Sequence, residues 1–213
     1  MNIMLINGSP KPNGSASGVI LSELRDYLPG HTISECAFHA ASTLTPALAD
    51  ALAAQDALVF AFPLYVDAIP SHLLRILVQL EDRWKNADVD QQVFAIVNAG
   101  FYEGRQCAYA LRMIRSWCEK CRLRWGRGVG IGAGGMLPGL ANVPAGHGPR
   151  RNFTIALKEL AQSIDCRKGG EDIFAVPNFP RFLYIKFAHM GWRMQARKNG
   201  IRPRQLSVRK PVK

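Results

Sequence analysis

Three serine residues follow the first apolar segment of the chain closely enough to bind one ligand together. Ile3–Ile6 is short and continuously apolar, which is typical of a parallel strand covered on both faces. The loop after it carries Ser9, Ser15 and Ser17, and apolar residues then recur at helical spacing. Backbone N–H groups and the positive end of the helix dipole face such a loop. The pattern therefore predicts a site for a phosphate monoester.

The same loop permits a simpler interpretation, in which Ser15 or Ser17 only caps the helix. The loop contains neither the G-x-x-x-x-G-K-[ST] sequence of a Walker phosphate loop nor the G-x-G-x-x-G sequence of a dinucleotide site. Its place at the first strand–helix junction favours ligand binding, but both interpretations remain open on the sequence.

A G-x-G-x-x-G sequence does occur later in the chain, at Gly130–Gly135. A dinucleotide site would need a helix directly after it and an acidic residue about 20 positions further on. Instead Leu137-Pro138-Gly139 follows, and no Asp or Glu lies between Glu119 and Glu159. We therefore interpret the Gly- and Pro-rich segment Gly132–Gly148 as a flexible flap.

Apolar segments alternate with amphipathic helices, which predicts an α/β protein with a doubly wound, five-stranded parallel sheet. The predicted strands are Ile3–Ile6, Thr32–Phe38, Ala57–Phe62, Val93–Val97 and Leu123–Ile131. Helices are predicted to begin near Ser15, Thr45, Pro70 and Ala108, and a further helix covers Phe153–Ile164. In such sheets, ligands bind outside the carboxyl ends of the strands.

Three loops leave the carboxyl ends of the first, third and fourth predicted strands, namely Gly8–Ser17, Pro63–Pro70 and Asn98–Gly104. The second loop offers the ring of Tyr65 between two prolines that stiffen the backbone. The third loop adds two further aromatic residues, and its glycines let the backbone approach a ligand. A planar heterocycle linked to one phosphate would match all three loops, and FMN is such a ligand. Alternatively, these aromatic side chains only pack on the sheet edge.

Short motifs in these loops and near the C-terminus match one known family. They are Asn7–Lys11 with Ser15–Ser17, Pro63–Tyr65 with Pro70, Asn98–Phe101, Phe179–Tyr184 and Ala196–Gly200. On these motifs the chain resembles, over nearly its whole length, the flavodoxin-like NAD(P)H-dependent FMN reductase family, in particular its NAD(P)H-dependent oxidoreductase branch.

The resemblance implies a flavodoxin-like fold, bound FMN, and hydride transfer from NAD(P)H to a small-molecule electron acceptor such as a quinone, a nitro compound or a flavin. It also implies a homodimer or homotetramer. The residues implied to bind the cofactor are Ser9, Lys11, Ser15, Ala16 and Ser17 around the phosphate, Pro63, Leu64, Tyr65 and Val66 beside the isoalloxazine, and Asn98, Ala99, Gly100, Phe101 and Tyr102 along its other edge.

No catalytic acid or base is assigned, because hydride transfer to the flavin requires none. Asp67 and Glu103 lie in the proposed loops. Asp67 equally suits a cap for the following helix, and Glu103 suits a solvated acid in a first helical turn. The acceptor and the choice between NADH and NADPH remain open.

Positive charge is concentrated at the C-terminal end of the 213-residue chain. The net charge is +11, but residues before Arg181 comprise 17 basic and 16 acidic side chains, and no acid follows Arg181. We expect a single FMN-binding domain over residues 1–200 and a basic tail over residues 201–213. The helical stretch Phe182–Met194 is expected to dock on the core. A tail that binds an anionic surface is the alternative, and no nucleic acid is expected as a partner.

The cysteines and the N-terminus indicate a cytoplasmic protein. The five cysteines are odd in number and scattered, so we expect reduced thiols. Cys118-Glu119-Lys120-Cys121 lies at the end of a predicted helix without a second cysteine pair, and no residues show metal-ligand spacing. The N-terminus enters a strand directly, and no apolar run reaches the ~20 residues of a membrane helix.

Two rival functions remain for comparison. A flavodoxin-type electron carrier would share the fold, although such carriers are typically acidic and shorter than this basic chain. The other rival is an FMN-binding protein whose basic tail binds an anionic surface. An iron–sulfur flavoprotein is disfavoured because Cys118 and Cys121 are too few for a four-cysteine cluster.

Overall fold

A computed structural model describes residues 1–85 and 89–207. The chain divides into two compact units, residues 1–178 and residues 179–213. The expected boundary between a domain over residues 1–200 and a tail over residues 201–213 remains a prediction. Residues 208–213 of that tail lie outside the described residues.

The first unit contains one parallel sheet of six strands in the order β2-β1-β3-β4-β5-β6. The strands are β1 Asn2–Asn7, β2 Thr32–Ala37, β3 Ala57–Pro63, β4 Gln92–Asn98, β5 Arg124–Ile131 and β6 Ile173–Ala175. The expectation of five strands is wrong by one. β6 has three residues, too few to show a strand period in the sequence, and it pairs with β5 from Val129 to Ile131.

Helices connect the strands as the alternating pattern predicts. They are α1 Ala16–Asp26, α2 Pro46–Ala53, α3 Ser71–Trp84, α4 Ala108–Lys120, α5 Arg151–Asp165 and, in the second unit, α6 Arg181–Lys198. Short 3₁₀ turns cover Gly104–Cys107, Gly134–Leu140, Gly148–Arg150 and Pro203–Ser207. Ser15 and Thr45 cap α1 and α2, because their side-chain oxygens accept hydrogen bonds from backbone N–H groups three residues on.

Two apolar clusters cover the two faces of the sheet, which makes it doubly wound as predicted. One cluster contains the inner faces of α2, α3 and α4, and the other contains those of α1 and α5. In the first, the Trp117 ring lies edge-on to Phe60, with 5.9 Å between ring centroids, and its indole N–H donates to the Leu77 carbonyl oxygen at 2.8 Å. β3 and β4 are buried along almost their whole length, as expected for central strands.

The second unit contains α6, a helix that carries only basic charges. Within this unit the rings of Phe179 and Phe187 lie 6.1 Å apart between centroids. No helix among the described residues is long and apolar enough to cross a membrane. Docking of Phe182–Met194 on the core remains a prediction.

All five cysteines are free thiols. Cys107, Cys118 and Cys121 are buried, and Cys118 and Cys121 lie at the C-terminal end of α4. Burial raises the pKa of Cys107 and of Cys121 to about 12, and it also raises the pKa of Cys118. Because thiolates react and thiols do not, these cysteines are chemically inert at neutral pH.

Candidate functional site

The three loops meet at the carboxyl edge of the sheet, because β1, β3 and β4 are neighbours in the strand order. The Gly8 N–H donates to the Ala61 carbonyl oxygen at 2.8 Å, which joins the start of the first loop to β3. The Leu64 N–H donates to the Asn98 carbonyl oxygen at 2.8 Å, which joins the second loop to the end of β4. The structure therefore brings together the segments that contain all the predicted cofactor-binding residues.

The first loop is shaped by its own side chains. Asn7 accepts a hydrogen bond from the Ser9 N–H at 3.1 Å, and Ser9 Oγ accepts one from the Lys11 N–H at 3.3 Å. Ser15 Oγ accepts from the Gly18 N–H at 3.1 Å, so Ser15 is indeed a helix cap. The cap leaves the N–H groups of Ala16 and Ser17 without partners inside the helix. An anion at this helix end would meet those two donors.

Asn98 holds the three loops in register. Its side-chain Nδ2 donates to Ser17 Oγ at 2.9 Å and to the Phe62 carbonyl oxygen at 3.1 Å. Asn98 and Ser17 are both buried. Their side chains are therefore placed to fix the loops relative to one another, whereas the exposed residues around them are free to meet a ligand.

The second loop contains a strained turn. The backbone N–H and carbonyl groups of Tyr65 and Ala68 bond to each other at 3.1 and 3.0 Å. The two residues between them, Val66 and Asp67, have φ angles of 49° and 59°. This is a type I′ turn, which favours Asn and Gly at its centre. A β-branched side chain is disfavoured in this conformation, and the Val66 side chain is 99% exposed.

We expect Val66→Asn combined with Asp67→Gly to raise the free energy of unfolding by about 1 kcal/mol. A left-handed backbone costs a non-glycine residue roughly 1–2 kcal/mol, and the greater freedom of glycine in the unfolded chain offsets part of the gain. Urea unfolding of the ligand-free protein measures the change. Ala68→Gly, at a position without positive φ, should lower the free energy of unfolding instead. If both variants raised the free energy of unfolding, the turn at Val66 and Asp67 would not be strained.

The third loop presents an aromatic side chain beside the second. Phe101 is 58% exposed and Tyr65 is 47% exposed, so both rings are accessible to a planar ligand. Tyr102 is partly buried, and its hydroxyl contacts the Pro177 carbonyl oxygen at 3.5 Å. A Cβ on Gly104 would lie 2.3 Å from the Gly130 carbonyl oxygen. Gly104 is therefore required for backbone packing, and of the two glycines only Gly100 has open space beside it.

The sequence matches no protein-family model and no curated protein. The fold, however, is similar to solved structures. An NADPH-quinone reductase from P. pentosaceus matches with a TM-score of 0.55 and 11% identity, over 76% of this chain and 98% of that chain. A flavone reductase matches with a TM-score of 0.58 and 12% identity, over 80% of this chain and 66% of that chain. The Streptococcus pneumonia TIGR4 flavodoxin matches with a TM-score of 0.50 and 11% identity, over 78% of this chain and 99% of that chain. The chain has a flavodoxin-like fold.

The strand order agrees with these structural matches, since flavodoxin-like sheets run 2-1-3-4-5 and this sheet adds β6 beside β5. The resemblance carried by the loop motifs is thus confirmed at the level of the fold. In this fold the ligand crevice lies where the strand order reverses, between β1 and β3. The first and second loops border that point.

The start of the predicted flap is packed against the flavodoxin-like core. The Gly134–Leu140 turn lies against α1, and the Leu137 side chain is buried. The Gly134 N–H donates to the Ala99 carbonyl oxygen at 2.8 Å, and a Cβ on Gly134 would lie 2.7 Å from that of Asn98. This part of the segment supports the third loop from behind.

A buried ion pair ties the far end of that segment to α1. Arg150 donates to the Glu23 carboxylate at 2.5 Å, and Thr154 Oγ1 donates to the same carboxylate at 2.6 Å. The Tyr27 hydroxyl also donates to it, at 3.0 Å. Burial, followed by the Glu23 charge, raises the pKa of Tyr27. The sequence analysis missed this network; its one signal is an acid among the apolar residues of α1.

A cavity of about 590 Å³ lies above this ion pair and borders the outer side of the first loop. Its lining contains no residue of the second or third loop. The lining comprises Asn7, Pro12–Ser15, Gly18, Val19, Ser22, Glu23, Asp26, Tyr27, Ala141, Ala145 and Arg150. The cavity is therefore separate from the exposed rings of Tyr65 and Phe101.

One histidine contacts the first loop and another contacts the segment after β2, and the sequence analysis gave them no role. His39 Nδ1 donates to the Ser9 carbonyl oxygen at 3.0 Å, and His72 Nε2 donates to the Phe38 carbonyl oxygen at 3.0 Å. Burial lowers the pKa of His72, which favours the neutral form of its ring. Among the described residues, no group of three or more His, Cys, Asp or Glu side chains could hold a metal ion.

Proposed function

We propose that the protein is an FMN-dependent oxidoreductase that transfers hydride from NAD(P)H through bound FMN to a small acceptor such as a quinone, a nitro compound or a flavin. One observation carries the proposal. The N-terminus of α1 has two N–H groups without partners inside the helix, and the exposed rings of Tyr65 and Phe101 lie on loops at the same edge of the sheet. A flavin mononucleotide, which combines one phosphate with a large planar ring system, matches this arrangement.

The donor set fits the phosphate of FMN. The phosphate would face the N–H groups of Ala16 and Ser17 and the positive end of the α1 dipole. The Ser9 and Ser15 hydroxyls belong to the same loop. Lys11 is exposed and adds a positive charge at the loop. An anion is therefore favoured at this position over a neutral group.

The second and third loops fit the isoalloxazine ring. Tyr65, Val66 and Phe101 are the exposed side chains that would lie against it, and Gly100 leaves room for its edge. Pro63 and Leu64 are partly exposed beside them, while Asn98 and Ala99 are buried and hold the loops in place. When bound, FMN supplies the hydride chemistry, and this chain contributes binding, orientation and access. We assign no acid or base.

The structural comparisons support the general class of this proposal, an oxidoreductase. One structural match is an NADPH-quinone reductase and another is a flavone reductase. Identities of 11% and 12% show the fold alone, so the nicotinamide nucleotide and the acceptor proposed here rest on the family resemblance of the sequence motifs. We also propose that the protein is a homodimer or homotetramer.

An electron-carrier function is the second candidate, since a flavodoxin also matches the fold. A carrier accepts electrons from a protein partner, whereas a reductase must accept hydride directly from a nicotinamide. The two functions therefore differ in one measurable step. We expect neither function to need the basic residues of the expected tail 201–213.

The FMN-loaded protein should be bleached by NADPH or NADH without oxygen. We expect one equivalent of FMN per chain, a loss of absorbance near the flavin maximum in a stopped-flow trace, and ping-pong kinetics with a quinone. Dithionite serves as the control reductant. If dithionite bleaches the flavin and neither nucleotide does, the carrier function replaces the reductase function. If the protein binds no FMN, both fail.

A further inference from the structure

The helix of the second unit, α6, has large apolar side chains but buries none of its 18 residues. Phe187, Met190 and Met194 are 55%, 51% and 53% exposed, and Leu183 is partly exposed. Helices in proteins gain most of their stability by packing an apolar face against another surface. Apolar side chains exposed in this number therefore indicate a face of α6 that becomes covered by a partner.

These four side chains form an apolar row along one side of α6. They are Leu183, Phe187, Met190 and Met194, at successive spacings of four, three and four residues. Positions three or four apart lie on the same side of a helix. The spacing is typical of a helix that places one face in an apolar environment and leaves the rest in water.

A basic row adjoins the apolar row. Lys186, Arg193 and Arg197 are spaced by seven and four residues, so they share a side of α6, and all three side chains are exposed. Met190 lies four positions after Lys186 and three before Arg193, which places the two rows side by side. The chain contains no Asp or Glu after Asp172, so no acidic side chain of the second unit neutralises the basic row. The surface that covers this face should therefore be both apolar and negatively charged.

A bilayer with acidic lipids has both properties at one surface. Its headgroups attract Lys and Arg, whose long stems keep the charge among the headgroups while neighbouring apolar side chains enter the acyl region. Nucleic acid would also attract the basic row, but its phosphate backbone offers no apolar surface for leucine and methionine. A second copy of α6 would offer an apolar row, but the basic rows of the two copies would repel each other.

We propose that α6 is an interfacial helix that binds the surface of a membrane containing acidic lipids. The helix lies along the surface, with the apolar row at the boundary between headgroups and acyl chains and the basic row among the headgroups. The proposal goes beyond the proposed enzymatic function and does not depend on it, since no flavin takes part in the contact.

Co-sedimentation of the full chain with lipid vesicles tests this proposal. We expect binding to vesicles of phosphatidylcholine mixed with phosphatidylglycerol, much weaker binding to phosphatidylcholine alone, and lower affinity as added salt screens the charges. Lys186→Gln with Arg193→Gln should weaken binding about 30-fold, because each basic residue beside an acidic bilayer contributes about a factor of five. Arg151→Gln with Lys158→Gln, which removes the same charge from exposed positions of α5, is the matched control and should change the affinity less than about threefold.

The apolar row is tested at constant charge. Phe187→Gln with Met194→Gln should weaken vesicle binding at least ~10-fold, because two apolar side chains no longer leave water on binding. Trp192→Gln is the matched control, since Trp192 is 70% exposed but lies two positions from both Met190 and Met194, on the opposite side of α6. Glutamine is a good helix former, and circular dichroism shows whether each variant keeps its helix content.

Three results would overturn the proposal. The first is no binding to the acidic vesicles, or a loss for Trp192→Gln as large as that for Phe187→Gln with Met194→Gln. The second is a loss only when the basic row is changed, which would indicate a purely electrostatic contact such as one with nucleic acid. The third is a change in the mass of the vesicle-free protein, measured by sedimentation equilibrium, when the apolar row is changed, because that row would then join copies of the chain.

Discussion

Replacing Ser15 with aspartate will weaken FMN binding about 100-fold and leave riboflavin binding nearly unchanged. Aspartate caps a helix as well as serine does, so α1 keeps the hydrogen bond that Ser15 now accepts from Gly18. The new carboxylate lies where the phosphate is proposed to bind. Repulsion of about 3 kcal/mol between partly solvated anions a few ångströms apart corresponds to this loss.

The matched control is Ser15→Asn, which caps the helix without adding charge. It should bind FMN within about threefold of the wild type, a difference of less than 1 kcal/mol. Flavin absorbance or fluorescence titrations with FMN and riboflavin measure the six affinities of the wild type and the two variants. Equal losses for both flavins in Ser15→Asp would mean that the first loop does not hold the phosphate.

Much of the fold could be predicted because its central strands are buried on both faces. Ala57–Phe62 and Val93–Val97 are continuous apolar runs, and their shortness and the turn residues that follow them indicate strands covered on both faces. The sixth strand could not be predicted. Ile173–Ala175 is too short to show a period, and it pairs with residues more than 40 positions earlier.

The loops of the candidate site could be predicted, but the direction of each side chain could not. Serine and asparagine at a strand end suit both a ligand and a neighbouring loop. The structure buries Ser17 and Asn98 against each other across 81 positions of sequence. It exposes Val66 in a left-handed turn that its residue type disfavours. Sequence spacing records neither a long-range partner nor a backbone angle imposed by flanking residues.

The Glu23–Arg150 pair could not be predicted from sequence spacing either, and breaking it is expected to have a large effect on stability. Its partners are 127 positions apart, and their side chains are only 8% and 13% exposed. Arg150→Met should lower the free energy of unfolding by about 3 kcal/mol or more, because it leaves the Glu23 carboxylate buried without its counter-charge. Urea unfolding at neutral pH measures the loss.

Two further variants separate this charge effect from lost packing. Glu23→Gln combined with Arg150→Met should recover most of the stability, since the amide can still accept from Thr154 and no buried charge remains. Arg25→Met is the matched control, because the Arg25–Glu35 pair is about half exposed on both sides. Arg25→Met should lower the free energy of unfolding by less than about 1 kcal/mol, because exposed ion pairs contribute little to stability. If Arg150→Met costs no more than Arg25→Met, the pair does not hold the 141–150 segment against α1.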